Sequence, residues 1–216
     1  MIVLGDSIAL GPGFQRGLPP VQNRSIPSLA STPWPRSGGD RRNSACFPCQ
    51  GPDSARVIWQ VPLGDPPPDL RSFASGCVVA ADGCLRVVHR GMLRSVHPSG
   101  RILWKRSLRL RCRRLLGYGL PLALDDGSTW VTSNRRLLRE HGGRLELVAR
   151  GQLGDESAVS PNLGYDGSIY CGGVDRASRW HNGLVTILDE AGFDIFTPAV
   201  YPDGSVGLAS YYGNGL

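Results

Sequence analysis

Cys46-Phe47-Pro48-Cys49 sets two thiols three positions apart, a spacing used by zinc ribbons, haem attachment and thiol–disulfide chemistry. No second pair follows at ribbon spacing, and Gln50 stands where haem attachment needs histidine. A thioredoxin-type site would need a βαβ setting, which the surrounding Pro- and Gly-rich sequence does not offer. Cys46 and Cys49 therefore read as a local disulfide or as two idle thiols. The other cysteines, Cys77, Cys84, Cys112 and Cys171, follow no period. The histidines, His89, His97, His141 and His181, stand singly without HxH or HExxH spacing, and neither a GxSxG elbow nor a phosphate loop occurs. From these motifs no catalytic, metal-binding or cofactor-binding residue is expected.

Charge offers a different chemistry. The net charge is +6 with a sequence pI of about 9.3, and Lys105 is the sole lysine among 24 basic residues. Arginine forks suit carboxylate, phosphate or sulfate groups. They concentrate at Arg109, Arg111, Arg113 and Arg114, and again at Arg176 and Arg179, where Trp180 and His181 follow; Tyr211 and Tyr212 add aromatic surface near the end. This pattern points to a protein, anionic or glycan ligand. Nucleic acid is not expected, because the remaining arginines are scattered.

These residues need a scaffold, and a recurring phrase supplies it. Apolar residues lead into Asp82-Gly83, Asp126-Gly127, Asp166-Gly167 and Asp203-Gly204, and an apolar stretch follows each. The pairs lie 44, 40 and 37 residues apart, a period typical of repeated supersecondary units. Asp-Gly between apolar runs signals a hairpin, since glycine supplies the positive φ and aspartate bonds to nearby amides. With 29 glycines and 17 prolines, short strands and many turns are predicted, without long helices. No run approaches the roughly 18 apolar residues of a membrane span.

The first repeat predicts strands at Gly76 to Ala80, Cys84 to His89, Met92 to His97 and Arg101 to Ser107. The second follows the same plan, with His141-Gly142-Gly143 at its later turn. In the third, that later turn is assigned to Glu190-Ala191-Gly192, which implies about eight inserted residues around Gly173 to Asn182. The fourth supplies two strands, Pro198 to Tyr201 and Ser205 to Ser210. Residues 1–55 read as an irregular lead-in, with 1–30 expected to be poorly ordered. Residues 56–216 read as repeats near 71–108, 117–150, 157–196 and 197–216, the last incomplete. Arg56 to Pro62, including Trp59, is a further strand.

Ser160-Pro161 leading to Asp166-Gly167-Ser168-Ile169-Tyr170, and Val96-His97-Pro98-Ser99-Gly100-Arg101-Ile102-Leu103-Trp104-Lys105, resemble the PQQ-type β-propeller repeat. Thr32-Pro33-Trp34-Pro35 with Ser37-Gly38-Gly39-Asp40 is similar to the lead-in of that family, and Trp59 and Trp104 match its fourth-strand tryptophan. Leu147 and Ile195 stand at comparable places in the later repeats. The resemblance implies an all-β fold: a partial β-propeller of about three and a half four-stranded antiparallel blades, expected to be a fragment of a seven- or eight-bladed ring. It also implies an extracytoplasmic setting, although Met1 to Leu10 lacks a basic start and Asp6 interrupts it. The non-enzymatic branch, which includes the outer-membrane assembly lipoprotein, fits better than the quinoprotein dehydrogenases. Those hold PQQ beneath adjacent cysteines beside calcium, and no cysteines adjoin here. The alternative is a truncated PQQ-dependent dehydrogenase, with PQQ and calcium as its cofactors, or another propeller enzyme whose active site lies outside this chain.

In such a meander the first-to-second and third-to-fourth turns share one rim, and the other connections share the opposite rim. The arginine clusters, the insertion with Arg176, Arg179, Trp180 and His181, and Tyr211 with Tyr212 are expected on the opposite rim, as its binding surface. Open blade edges are expected to favour self-association.

Overall fold

The computed structural model describes residues 28–31, 57, 59–63, 76–89, 91–108, 119–133, 135–151, 153, 160–173, 176–189 and 198–209. β1 (Gly76–Val79), β2 (Leu85–His89), β3 (Met92–Val96) and β4 (Ile102–Ser107) form one antiparallel sheet in sequential order. A second follows from β5 (Leu122–Ala123), β6 (Thr129–Ser133), β7 (Arg136–His141) and β8 (Arg144–Arg150). The third is β9 (Asn162–Leu163), β10 (Ile169–Cys171), β11 (Ala177–His181) and β12 (Leu184–Asp189), and β13 (Ala199–Val200) pairs with β14 (Val206–Gly207). No helix occurs among the described residues, and none is long and apolar enough to cross a membrane.

The four Asp-Gly phrases make one turn, repeated. Gly83, Gly127, Gly167 and Gly204 have φ of 75°, 80°, 80° and 84°, where a Cβ would be strained. Their amides donate to the carbonyls of Ala80, Leu124, Gly164 and Tyr201. Each aspartate then accepts from the amide two residues on: Cys84 at 3.0 Å, Ser128 at 2.8 Å, Ser168 at 3.0 Å and Ser205 at 2.9 Å. A side chain thus occupies a turn amide that the ladder leaves unpaired.

The sheets stack face to face and meet along their first strands. β1 lies beside β5, and β9 beside β13. Side chains link these inner strands: Ser160 donates to the Pro121 carbonyl at 2.9 Å, and Asn162 donates to the Pro198 carbonyl at 2.8 Å. Alternation along the strands sends Val88 and Leu93 of the first sheet against Val131 and Leu138 of the second. Trp130 and Leu137 face the other way, against Ile169 and Cys171 of the third. Each sheet therefore needs a neighbour on both faces to bury its apolar rows.

Two segments before the first sheet complete this packing. Ser28–Ala30 runs along β5: Leu29 bridges Leu124, the Ala30 amide donates to the Ala123 carbonyl, and Ser28 bonds Asp125 through amide and hydroxyl. The lead-in thus enters the core at Ala30, inside the stretch the sequence suggested was poorly ordered. Backbone pairing to an inner strand is what holds it. Trp59, Val61 and Leu63 pack on the free face of the first sheet over Leu85, Val87 and Val96, and Arg94 ties them down through the Leu63 carbonyl at 2.9 Å. No strand is assigned at residues 57 and 59–63, where the sequence predicts one from Arg56 to Pro62.

The third repeat departs from its expected form. β11 and β12 join through Asn182-Gly183, with φ of 47° and 85°, and His181 pairs with Leu184. Asn-Gly is the dipeptide a two-residue hairpin favours, because both positions adopt positive φ. The spacing from Gly167 to Gly183 is 16 residues, as from Gly127 to Gly143. No insertion is present. Residues 190–192 fall outside the described residues, and the fourth strand is Leu184–Asp189, not a segment around Ile195.

Candidate functional site

Correcting that turn moves the candidate residues. Arg179, Trp180 and His181 are not in an inserted loop on the far rim; they lie on β11 and run into the hairpin that shares the Asp-Gly rim. Arg176 precedes β11 and stays at the opposite rim. Arg109, Arg111, Arg113, Arg114, Tyr211 and Tyr212 lie outside the described residues, as do Cys46 and Cys49.

On the Asp-Gly rim the structure brings together groups that the sequence left apart. His97, His141 and His181 occupy one position in three sheets, at the end of the third strand. In the same three sheets the turn aspartate is held by an arginine. Arg139 donates to Asp126 at 3.0 Å from opposite Trp130, and Arg179 donates to Asp166 from the equivalent place opposite Tyr170. In the first sheet the arginine has crossed to the second strand. Arg86 donates to Asp82 at 2.7 Å and to Ser95 at 2.8 Å, and Ser95 holds the position of Arg139 and Arg179. The aromatic partner crosses too. Arg86 stacks 5.2 Å from the Trp104 ring, with Arg106 at 5.3 Å, whereas Arg139 lies 5.6 Å from the Trp130 ring.

The carboxylates respond to this setting. Burial alone would raise the Asp82 carboxyl, but the Arg86 hydrogen bond, the Cys84 amide and the Arg86 charge hold it below the usual range. Against the same upward push of burial, Asp126 is lowered by the Ser128 hydroxyl and amide and by Arg139, and Asp166 by the Ser168 amide and hydroxyl and by Arg179. Asp203 is lowered by the Ser205 hydroxyl and amide.

The third sheet carries the arrangement closest to catalysis. The Ser168 Oγ lies 2.9 Å from His181 Nδ1 and 2.9 Å from Asp166 Oδ2, and it accepts from Arg179 Nε at 2.8 Å. Asn182 Nδ2 sits 3.0 Å from His181 Nε2. With Asn182 donating to Nε2, the ring proton belongs on Nδ1 and goes to Ser168, whose own proton goes to Asp166. The imidazole then donates to the hydroxyl, the reverse of what activating a nucleophile requires. Ser168 is also fully buried. The cluster closes a turn.

Trp180 faces inward, 5.3 Å from Trp130 between the second and third sheets, so it anchors packing there. The tryptophan pair was legible only after the third hairpin was in register. Burial also pushes the Cys171 thiol up to about 12, and Cys77 is raised for the same reason; Cys77, Cys84 and Cys171 are free thiols. Among the described residues no cluster of His, Cys, Asp and Glu has metal-ligand geometry.

A catalytically inactive virginiamycin B lyase from Staphylococcus aureus, crystallised with quinupristin, has a similar structure, with a TM-score of 0.52 at 16% identity; the match covers 68% of this chain and 52% of that one. The stacked sheets are blades of a partial β-propeller. This chain thus matches about half the length of that neighbour. No protein-family model matches the sequence, and no curated protein matches it. Within the propeller, the Asp-Gly turns and the β3–β4, β7–β8 and β11–β12 turns form one rim, and Arg176 stands at the other.

Proposed function

We propose that this propeller is a non-catalytic binding or assembly scaffold of the PQQ-like repeat type. The observation that carries the reading is the recurrence of the Asp–Arg pair at the turn of three blades. A polar cluster repeated on three blades serves what those blades share, which is a closed turn, whereas chemistry needs one constellation aimed at one reacting atom. Ser168, His181 and Asp166 meet that structural need with their hydrogen bonds already engaged.

Binding then belongs to the opposite rim. Arg176 stands there, before β11, and the sequence between the first and second blades carries Arg109, Arg111, Arg113 and Arg114. Guanidinium groups clustered on a rigid scaffold favour a protein or glycan with carboxylate, phosphate or sulfate groups. Two measurements test the reading. A fluorophosphonate probe should leave Ser168 unlabelled in the folded chain, and labelling there would overturn the non-catalytic assignment. On immobilised heparin, used as a polyanion probe, the Arg113→Glu, Arg114→Glu double variant should elute at lower salt than the parent chain. Unchanged elution would remove the rim as the binding surface.

A further inference from the structure

β4, β8 and β12 each stand last in the strand order of their sheet, and no further strand follows them there among the described residues. Proteins guard such edges with charge, because a strand pairing there would have to desolvate it. β4 carries Lys105 and Arg106; β8 carries Arg144, Glu146 and Arg150. β12 reads Leu184-Val185-Thr186-Ile187-Leu188 before its first charge, Asp189. Leu184 is 74% exposed, and Ile187 and Leu188 are both 38% exposed. The ladder to β11 stays regular from Leu184 to Ile187, with its irregularity at the far end.

The hairpin determines which backbone groups face out. A two-residue loop is closed by a hydrogen-bonded pair, here His181 and Leu184. Alternation then turns the N–H and C=O of Leu184 and Thr186 toward β11, and those of Val185 and Ile187 away from it. An incoming strand would hydrogen-bond to Val185 and Ile187.

We propose that β12 is the edge through which two copies of this chain associate, antiparallel about a twofold axis at Thr186. That register sets Val185 against the partner's Ile187, Leu184 against the partner's Leu188 and Asp189 against the partner's Gly183, so no like charges oppose. A symmetric pairing of β8 about Leu147 would set Arg144 against the partner's Arg150, and a β4 pairing would gather two cations from each copy into one short ladder. Self-complementarity is what a twofold interface demands, and of the three edges β12 meets it without opposing charge. The net charge of +6 on each copy resists their approach, so added salt strengthens this association. An anionic peptide on the same edge would bind more weakly as salt rises. The inference is independent of the arginine rim.

Light scattering on the full chain, across a dilution series at low and high salt, should show a dimer fraction that grows with concentration and with salt. Ile187→Lys, which places a charge in the outward ladder, should abolish the dimer, while Leu103→Lys on β4 should leave it intact. Thr186 is a non-hydrogen-bonded position on the axis, so mild oxidation should crosslink Thr186→Cys chains to one another through the introduced thiol. A monomer at every concentration, a dimer unaffected by Ile187→Lys, or oxidised Thr186→Cys chains that stay uncrosslinked would each overturn the proposal.

Discussion

The first blade and the two that follow solve the same problem with different residues. In the second and third, an arginine on the third strand reaches the turn aspartate and sits opposite an aromatic residue on the second: Arg139 with Trp130, Arg179 with Tyr170. In the first, the arginine is Arg86 on the second strand, Ser95 faces it, and Trp104 on the fourth strand provides the ring. What persists is the charge held at the turn, together with a flat surface nearby. Strand identity is free to change, since neighbouring strands present side chains to the same face within reach of the turn.

Burial separates the two arrangements and determines what mutation costs. The largest loss is expected between the second and third blades, where Trp130 is 5% exposed and packs on Trp180. Trp130→Ala should cost about 3–5 kcal/mol in urea unfolding. A loss near that of an exposed aromatic would mean the two blades do not share this core. The arginines come next. The Arg86 side chain is 5% exposed and that of Arg179 is 35% exposed. Arg86→Ala should cost about 2 kcal/mol, because packing and two hydrogen bonds go together, and Arg179→Ala under about 1 kcal/mol, because solvent screens its pair. Equal losses would contradict the contrast.

Turn glycines give a smaller and more local comparison. A Cβ at Gly83 would meet open space, whereas one at Gly100 would lie 3.2 Å from the Trp59 ring. Both have positive φ, so Gly83→Ala should cost about 1–2 kcal/mol by strain alone, and Gly100→Ala more, since the ring must also shift. Matching values would place Trp59 away from the first blade. Acid should give the gentlest effect. The folded carboxyls of Asp82, Asp126 and Asp166 are held below the ordinary aspartate range, so their contribution is fully present above the unfolded value of about 3.9. It is lost as pH falls through their lowered folded values. Arg139→Ala, which removes the arginine from Asp126, should flatten this acid dependence in a pH series of thermal melts. An unchanged slope would show that Arg139 does not lower Asp126.

The blades and their Asp-Gly turns were legible because apolar alternation and turn chemistry act locally. All four aspartates bond the amides that a reading of the turns expects. The third blade departs from the sequence expectation because Asn182-Gly183, a stronger hairpin dipeptide than Glu190-Ala191-Gly192, makes the turn and leaves no room for an insertion. A turn at Glu190-Ala191-Gly192 would carry Arg179, Trp180 and His181 to the wrong rim and hide the equivalence of the three histidines. Other features depend on contacts distant in sequence. Leu29 bridging Leu124, 95 residues on, and Leu63 held by Arg94, 31 residues on, are examples, since such contacts leave no periodic trace.

We read the rim cluster as a structural clip whose parts can be exchanged between blades. Transplanting the second blade's residues into the first, as Arg86→Trp, Ser95→Arg and Trp104→Glu, tests it most directly. Denaturant unfolding of the triple variant should be cooperative and should recover most of the stability lost in Arg86→Trp alone. A triple variant less stable than its weakest single would show that each blade depends on its own residues and that the clip is not exchangeable.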